Sequence, residues 1–295
     1  MGNNDMALFL AVANRKGGVG KSTVSVMLAH AYSVWGKKRV LVLDVDSQCN
    51  ASLILLGGDG WHEARSAKRT IADYIKDQCN GSHRAPPEFL IGGAGDLIGE
   101  QGSIPHLSVL PGSILLDDVQ GDLFISEAGR GEPVDTLMFR LRANLCRLLR
   151  RFENEFDVVI LDCAPGLSMA TVAALSVADK VVVPFRPDYV SQLAVDRVAL
   201  LIEEKQNLDQ LAAVPFESRR YVCLANFVIG SGRERLILEE IGIMHPLLDA
   251  QLAYREGLAI AFDWLDQRAT FESKYGNAVP DIRAVYNEVS GYLSP

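Results

Sequence analysis

The sequence predicts a doubly wound α/β fold, a mostly parallel sheet with helices on both faces. Three observations predict it. Short continuous apolar runs, such as residues 7–13 and 158–161, read as strands buried on both sides. Helical patterns separate these runs, and alternating strand and helix gives parallel pairing through crossovers. The first run ends in a glycine-rich turn that opens directly into a helical pattern.

Taken in order, residues 7–13 form the first strand and residues 22–35 a helix, which Gly36-Lys37-Lys38 closes. Residues 39–43 form a second strand ending at Asp44 and Asp46, so the first 46 residues make one β-α-β unit. Residues 57–133 are the least regular section. Glycine-rich stretches at 92–95 and 129–131 read as loops, with a short helix at 71–76 and a strand at 107–110 between them. Residues 135–152 are a helix carrying Arg140, Arg142, Arg147, Arg150 and Arg151. Three further strands follow, at 158–161 (ending at Asp162), 181–183 and 221–225. Helices at 190–204 and 281–293 complete the pattern. The 295 residues suit a single domain, with 57–133 as an irregular section within it.

Bulk properties narrow the classes of function. The net charge of −8 is no polyanion trap, so nucleic-acid binding would need a local basic patch. Five cysteines without C-x-x-C spacing argue against a disulfide framework and a zinc site, and suit reduced thiols in a cytoplasmic protein. No apolar run reaches the ~18 residues a membrane span needs, and residues 1–10 lack the basic start of a signal peptide.

Residues 14–23 read Asn-Arg-Lys-Gly-Gly-Val-Gly-Lys-Ser-Thr. Gly20, Lys21 and Ser22 fit the end of the common phosphate-loop pattern, but its first glycine would fall on Arg15. An extra lysine, Lys16, stands near the start instead. Glycines let backbone N–H groups point inward around phosphate oxygens, and the following helix adds its positive end. Gly17, Gly18, Val19, Gly20, Lys21, Ser22 and Thr23 are therefore the expected cradle for a triphosphate, and the fold a P-loop NTPase. Lys21 would reach the β- and γ-phosphates and the Ser22 hydroxyl would ligate Mg²⁺. Asp162 and Asp44, each on a strand end, are the other Mg²⁺ candidates, since Mg²⁺ keeps a water shell that carboxylates can hold.

Residues 16–23, preceded by Asn14, resemble the deviant Walker A box of the ParA/MinD family, and most resemble its ParA/Soj-type partitioning ATPases. The run from Phe156 to Gly166 resembles that family's Walker B region. Asp44-Val45-Asp46-Ser47-Gln48 resembles its D-x-D-P-Q element, with Ser47 where the family has proline. The likeness runs from about residue 7 to residue 226, thinning through 57–133. It implies an ATP hydrolase whose ATP-bound homodimer forms with Lys16 contacting the partner's nucleotide. It implies that Asp46 positions or activates the attacking water, and that Asn226, at the end of the fifth strand, contacts adenine.

For partners, the resemblance implies non-specific DNA, a ParB-like adaptor or cargo protein, and association with the nucleoid when ATP is bound. Arg219, Arg220, Arg233 and Arg235 are candidate phosphate contacts, and the arginines of the 135–152 helix are a second set. An ordinary solvated face accounts for the same arginines. Residues 201–295 hold 9 Lys+Arg against 14 Asp+Glu, so that part of the chain is not basic overall. A MinD-like membrane regulator is the alternative. It needs a basic amphipathic terminal helix, and residues 281–295 carry Arg283 as their only cation. Metal-cluster relatives need paired thiolates, which these cysteines do not offer. A tyrosine-kinase relative would carry a tail richer in tyrosine than Tyr275, Tyr286 and Tyr292.

Overall fold

The computed structural model describes residues 6–81, 84–128, 132–260, 262–265 and 267–293. Its strands are β1 (Leu8–Val12), β2 (Val40–Val45), β3 (Ile91–Gly92), β4 (Leu107–Leu110), β5 (Val158–Cys163), β6 (Lys180–Phe185), β7 (Tyr221–Val228) and β8 (Leu252–Ala253). Its helices are α1 (Lys21–Val34), α2 (Asn50–Ser66), α3 (Ile71–Cys79), α4 (Leu116–Ala128), α5 (Val134–Leu149), α6 (Met169–Val177), α7 (Ser191–Ile202), α8 (Leu208–Ala212), α9 (Gly232–Met244), α10 (Glu256–Ile260), α11 (Phe271–Tyr275) and α12 (Val279–Leu293). The strands form one eight-stranded sheet in the order β3-β4-β2-β5-β1-β6-β7-β8. All pairings are parallel except β3 with β4.

The strands are buried on both faces because the sheet separates two cores. Phe9 and Ala11 of β1 point into the core under α3 to α9. Leu10 and Val12 point into the other, under α1, α2 and α12. Alternation at period two puts successive side chains on opposite faces, so both sets must be apolar. The chain reverses winding at β1, between β5 and β6, and such a switch point opens a crevice at the carboxyl ends of the strands. The expected terminal helix is α12. Its Ile282, Val285 and Val289 recur at helical spacing and are buried in the second core.

The section 57–133 is more regular than its sequence suggests. α2 reaches Ser66 as two helical segments joined at a kink at Gly57, whose φ is 68. A Cβ there would lie 2.9 Å from the Trp264 ring, so the glycine admits that ring. α4 forms despite Gly121, its acidic first turn at Asp117 and Asp118 suiting the positive helix end. Packing overrides weak local propensity in α4, whereas α2 kinks at its glycine. Gly92 joins β3, while Gly93 and Gly95 turn the chain at φ 64 and φ 80. The loop expected at 129–131 lies outside the described residues.

A buried polar cluster fastens the C-terminal segment to α1 and the β3–β4 edge. His30 Nδ1 lies 2.8 Å from the Tyr275 hydroxyl, and Lys274 Nζ donates to Asp96 Oδ2 at 2.6 Å. Burial, and then the Lys274 charge, push His30 down to about 3. The unfolded histidine takes its proton near 6.5, so between pH 6.5 and 3 the unfolded state binds the extra proton and stability falls as pH falls. Denaturant unfolding at pH 7.0 and 5.5 should show the parent losing about 1 kcal/mol more than His30→Asn over that interval. Equal losses would place the titration elsewhere.

Candidate nucleotide site

The turn after β1 carries the glycines where its backbone needs them. Gly18 and Gly20 have φ 70 and φ 88, in the left-handed region. A Cβ on Gly20 would lie 2.2 Å from Asn226 Nδ2, whereas one on Gly17 or Gly18 would meet nothing within 4 Å. Gly20 is thus packed against β7, and Gly17 and Gly18 face open space. That space is a cavity of about 460 Å³ lined by Gly17, Gly18, Gly20, Lys21, Ser22 and Thr23, with Asp46 across from them. α1 begins at Lys21, and its N-cap residue, Gly20, offers no side-chain cap. Its first N–H groups are therefore available to an anion. Val19 is fully buried and its carbonyl, rather than its side chain, is engaged below the loop.

Lys21 is 7% exposed, and its Nζ donates to the Lys16 carbonyl at 3.2 Å. Burial lowers its pKa, while the nearby Asp162 and Asp46 charges oppose the shift. Asp44 and Asp162 sit opposite each other in the β2–β5 register. Burial and then the Asp44 charge push Asp162 upward, against the nearby Ser22 and Ser25 hydroxyls. Its Oδ1 accepts from the Ser25 hydroxyl at 2.8 Å, and its buried Oδ2 has no partner. An orphaned buried carboxylate oxygen beside a phosphate cradle fits the water shell of a Mg²⁺ ion. Among the described residues no three His, Cys, Asp or Glu side chains converge as a protein-only metal cage. A metal here would therefore depend on the nucleotide for much of its coordination. Asp46 is 3% exposed, and burial raises its pKa. Its Oδ1 accepts the Gln48 N–H at 2.9 Å.

The geometry gives four of the expected site residues partners within the chain. Both oxygens of Asp44 already accept hydrogen bonds from the chain. Oδ1 accepts the Asp46 N–H at 3.2 Å, and Oδ2 accepts from Ser52 N and Oγ at 2.9 and 2.5 Å. Ser52 Oγ also accepts the Gly112 N–H, and a Cβ on Gly112 would lie 2.8 Å from Asp44. Asp44 therefore shapes the loop that carries Asp46. Asn226 has no exposed atoms to offer adenine. Its Nδ2 donates to the Val19 carbonyl at 2.9 Å, bracing the phosphate loop from beneath, and its Oδ1 accepts the Phe227 N–H. Arg219 is 1% exposed, its guanidinium donating to the carbonyls of Val214, Met244 and Leu211. Arg220 is tied to the carbonyls of Ala178 and Ile202. Neither reaches outward to a phosphate.

Arg233 and Arg235 are exposed on the first turn of α9. Arg197 on α7 is exposed as well, and α7 and α9 pack on the same core. On α5, by contrast, Arg140 pairs with Glu127 and Glu132 and Arg142 with Glu204, and just past its end Arg150 pairs with Glu153. The far wall of the cavity is made by Gln48, Asn50, Leu53, Ile54, Pro165 and Phe262. Gln48 and Pro165 belong to elements the sequence marked, whereas Asn50, Leu53, Ile54 and Phe262 were missed. No local pattern marks Phe262, which reaches the site only because the chain returns past α2.

Lys16 stands apart from the cavity its loop encloses. Its Nζ pairs with Asp188 Oδ2 at 2.5 Å, on the turn between β6 and α7. Leu167, Tyr189, Val190 and Leu193 are exposed, three of them on that turn or the first turn of α7.

Residues 7–212 match the model of a family described as an AAA domain. The chain is 30% identical over 184 residues to the sporulation initiation inhibitor protein Soj of Bacillus subtilis, covering 62% of this chain and 60% of Soj. It is 31% identical over 180 residues to the chromosome partitioning protein ParA of Caulobacter vibrioides, covering 61% of this chain and 56% of that protein. An apo McdA structure from Cyanothece superposes with a TM-score of 0.67 at 20% identity, covering 98% of this chain and 100% of that one. The chain belongs to this AAA-domain family, is similar to P-loop ATPases of the ParA/MinD type, and spans about 60% of the length of the Soj relative it matches.

Proposed function

We propose that the protein is a Mg²⁺-dependent switch of the partitioning kind, which closes into a two-fold dimer on ATP and binds DNA without sequence preference to segregate or position a cargo. The observation that carries this reading is the position of Lys16. One triphosphate in this cavity already has Lys21, and Lys16 points to Asp188 on an exposed rim carrying apolar Tyr189 and Val190. A surplus cation on such a rim suits a second copy's nucleotide better than its own. Bound Mg²⁺ would screen the phosphates, with Ser22 and Asp162 holding it or its waters. Lys21 would hold the β- and γ-phosphates, and Asp46 would orient the attacking water. Turnover would be slow and raised by a ParB-like adaptor or cargo protein.

The exposed arginines on α9 and α7 support DNA as the track, with nucleoid association as its cellular form. A mobility shift with random-sequence duplex tests this directly. The ATP-bound protein should shift the duplex and the ADP-bound protein should not. Replacing Arg233 and Arg235 with Ala should weaken all sequences alike and flatten the salt dependence by about 0.9 for each phosphate the protein no longer neutralises. Equal shifts in ATP and ADP would break the proposed link between dimer and DNA. The MinD-like membrane reading is not favoured. The apolar face of α12 is packed into the second core, leaving that helix no apolar stripe for a bilayer. Among the described residues no helix is long and apolar enough to cross a membrane.

A further inference from the structure

Two loops flank the nucleotide cavity. One leaves β2 and carries Asp46; the other leaves β5 after Asp162 and leads into α6. A single helix touches both. Ser47 Oγ, at the position where the family has proline, donates to Asp117 Oδ2 on the first turn of α4 at 2.8 Å. Asp117 Oδ1 accepts from Gln120 Nε2 at 3.3 Å, and that nitrogen also donates to the Leu116 carbonyl. Gln120 Oε1 accepts the Ala170 N–H at 2.8 Å in a buried hydrogen bond. The Ala170 amide lies in the first turn of α6, where no intrahelical acceptor exists. The N-cap Ser168 serves Thr171 instead, so Gln120 is what satisfies Ala170. Gln120 is 5% exposed, with both ends of its amide committed.

We propose that Asp117 and Gln120 form a brace that sets the Asp46 loop against the loop following Asp162, and that both are positioning residues for ATP hydrolysis. The inference rests on the reading of Asp46 as the residue that orients the attacking water. A proline at position 47 would stiffen the Asp46 loop through its own ring and would have no hydroxyl to donate. Here the loop is held from outside, by a helix that also grips the second loop. A displacement of either loop is thereby passed to the other through three hydrogen bonds. Loop geometry near a reacting phosphate matters because small misplacements are costly in rate.

The test uses the full-length protein. Asp117→Ala changes an exposed residue and should lower kcat about three- to tenfold, the effect of one hydrogen bond of ordinary strength. Affinity for a fluorescent ATP analogue should stay within about twofold, as expected of a loss confined to turnover. Ser47→Ala should do the same, and the double variant should be no worse than either single one. Ser47→Pro placed in the Asp117→Ala background should restore turnover, which a general loss of stability would not allow. Independently of catalysis, hydrogen exchange of the peptide spanning Leu167 and Ala170 should quicken in Asp117→Ala. Parental turnover in Asp117→Ala, additive losses in the double variant, or unchanged exchange at that peptide would each overturn the brace. If Asp46→Ala itself hydrolyses ATP at the parental rate, the reading of Asp46 fails, and the exchange measurement still decides the brace.

Discussion

Lys21→Ala is expected to abolish measurable nucleotide binding. Lys21 is the cation that lines the cavity, and it is held there by the start of α1 and the Lys16 carbonyl. Its burial lowers its pKa, so its ammonium form is stabilised chiefly by the carboxylates of Asp162 and Asp46, and a triphosphate would add to that. Removing it deletes a charge-assisted contact of roughly 1.5–3 kcal/mol. It also leaves Asp46 and Asp162 facing the polyanion with no cation between them. The two effects add, since the carboxylates then repel the ligand that the lysine had attracted. Titration calorimetry with a non-hydrolysable ATP analogue and Mg²⁺ is the measurement. An unchanged affinity would remove Lys21 from the site.

Asp46→Ala should leave ATP bound and stop its turnover. Asp46 lies across the cavity from the phosphate loop, and its carboxylate is positioned by the Gln48 N–H. Unlike Asp44, it keeps an oxygen that is not committed to the surrounding backbone. Loss of a group that orients water costs turnover by about 10²–10⁴-fold where proton transfer is assisted. Binding should survive, because removing a carboxylate near a triphosphate lessens repulsion. The variant should therefore accumulate as an ATP-bound dimer, read by light scattering after gel filtration, and Lys16→Ala in the same background should return it to monomer. Hydrolysis at the parental rate by Asp46→Ala would disprove the role.

What the sequence made legible follows from how local each signal is. The strands at 158–163 and 221–228 announce themselves as apolar runs, because a strand buried on both faces has no polar side to show. The phosphate loop was legible because its glycines are demanded by backbone angles within a few residues of one another. Asp44 and Asp46 looked alike in sequence, both at a strand end. They differ through Ser52, near the start of α2, which donates to Asp44, and through Gly112, which comes from beyond β4 to cap Ser52. Arg219 and Arg233 were likewise indistinguishable on paper. One is swallowed by the carbonyls at the ends of α8 and α9, and the other rides on an exposed helical turn. α2 and α4 were obscured by their glycines, whose cost is recovered only by tertiary packing.

The sheet ends on both sides in strands of only two residues, β3 and β8. Any close encounter between copies of a sheet protein is an opportunity for strands to zip together side by side. Edge strands this short give an incoming chain too few free N–H and C=O groups to extend a ladder. Edge-to-edge sheet growth is thereby disfavoured, and the proposed two-fold dimer would form on another face. The stubby margins of the sheet thus act as a stop on polymerisation.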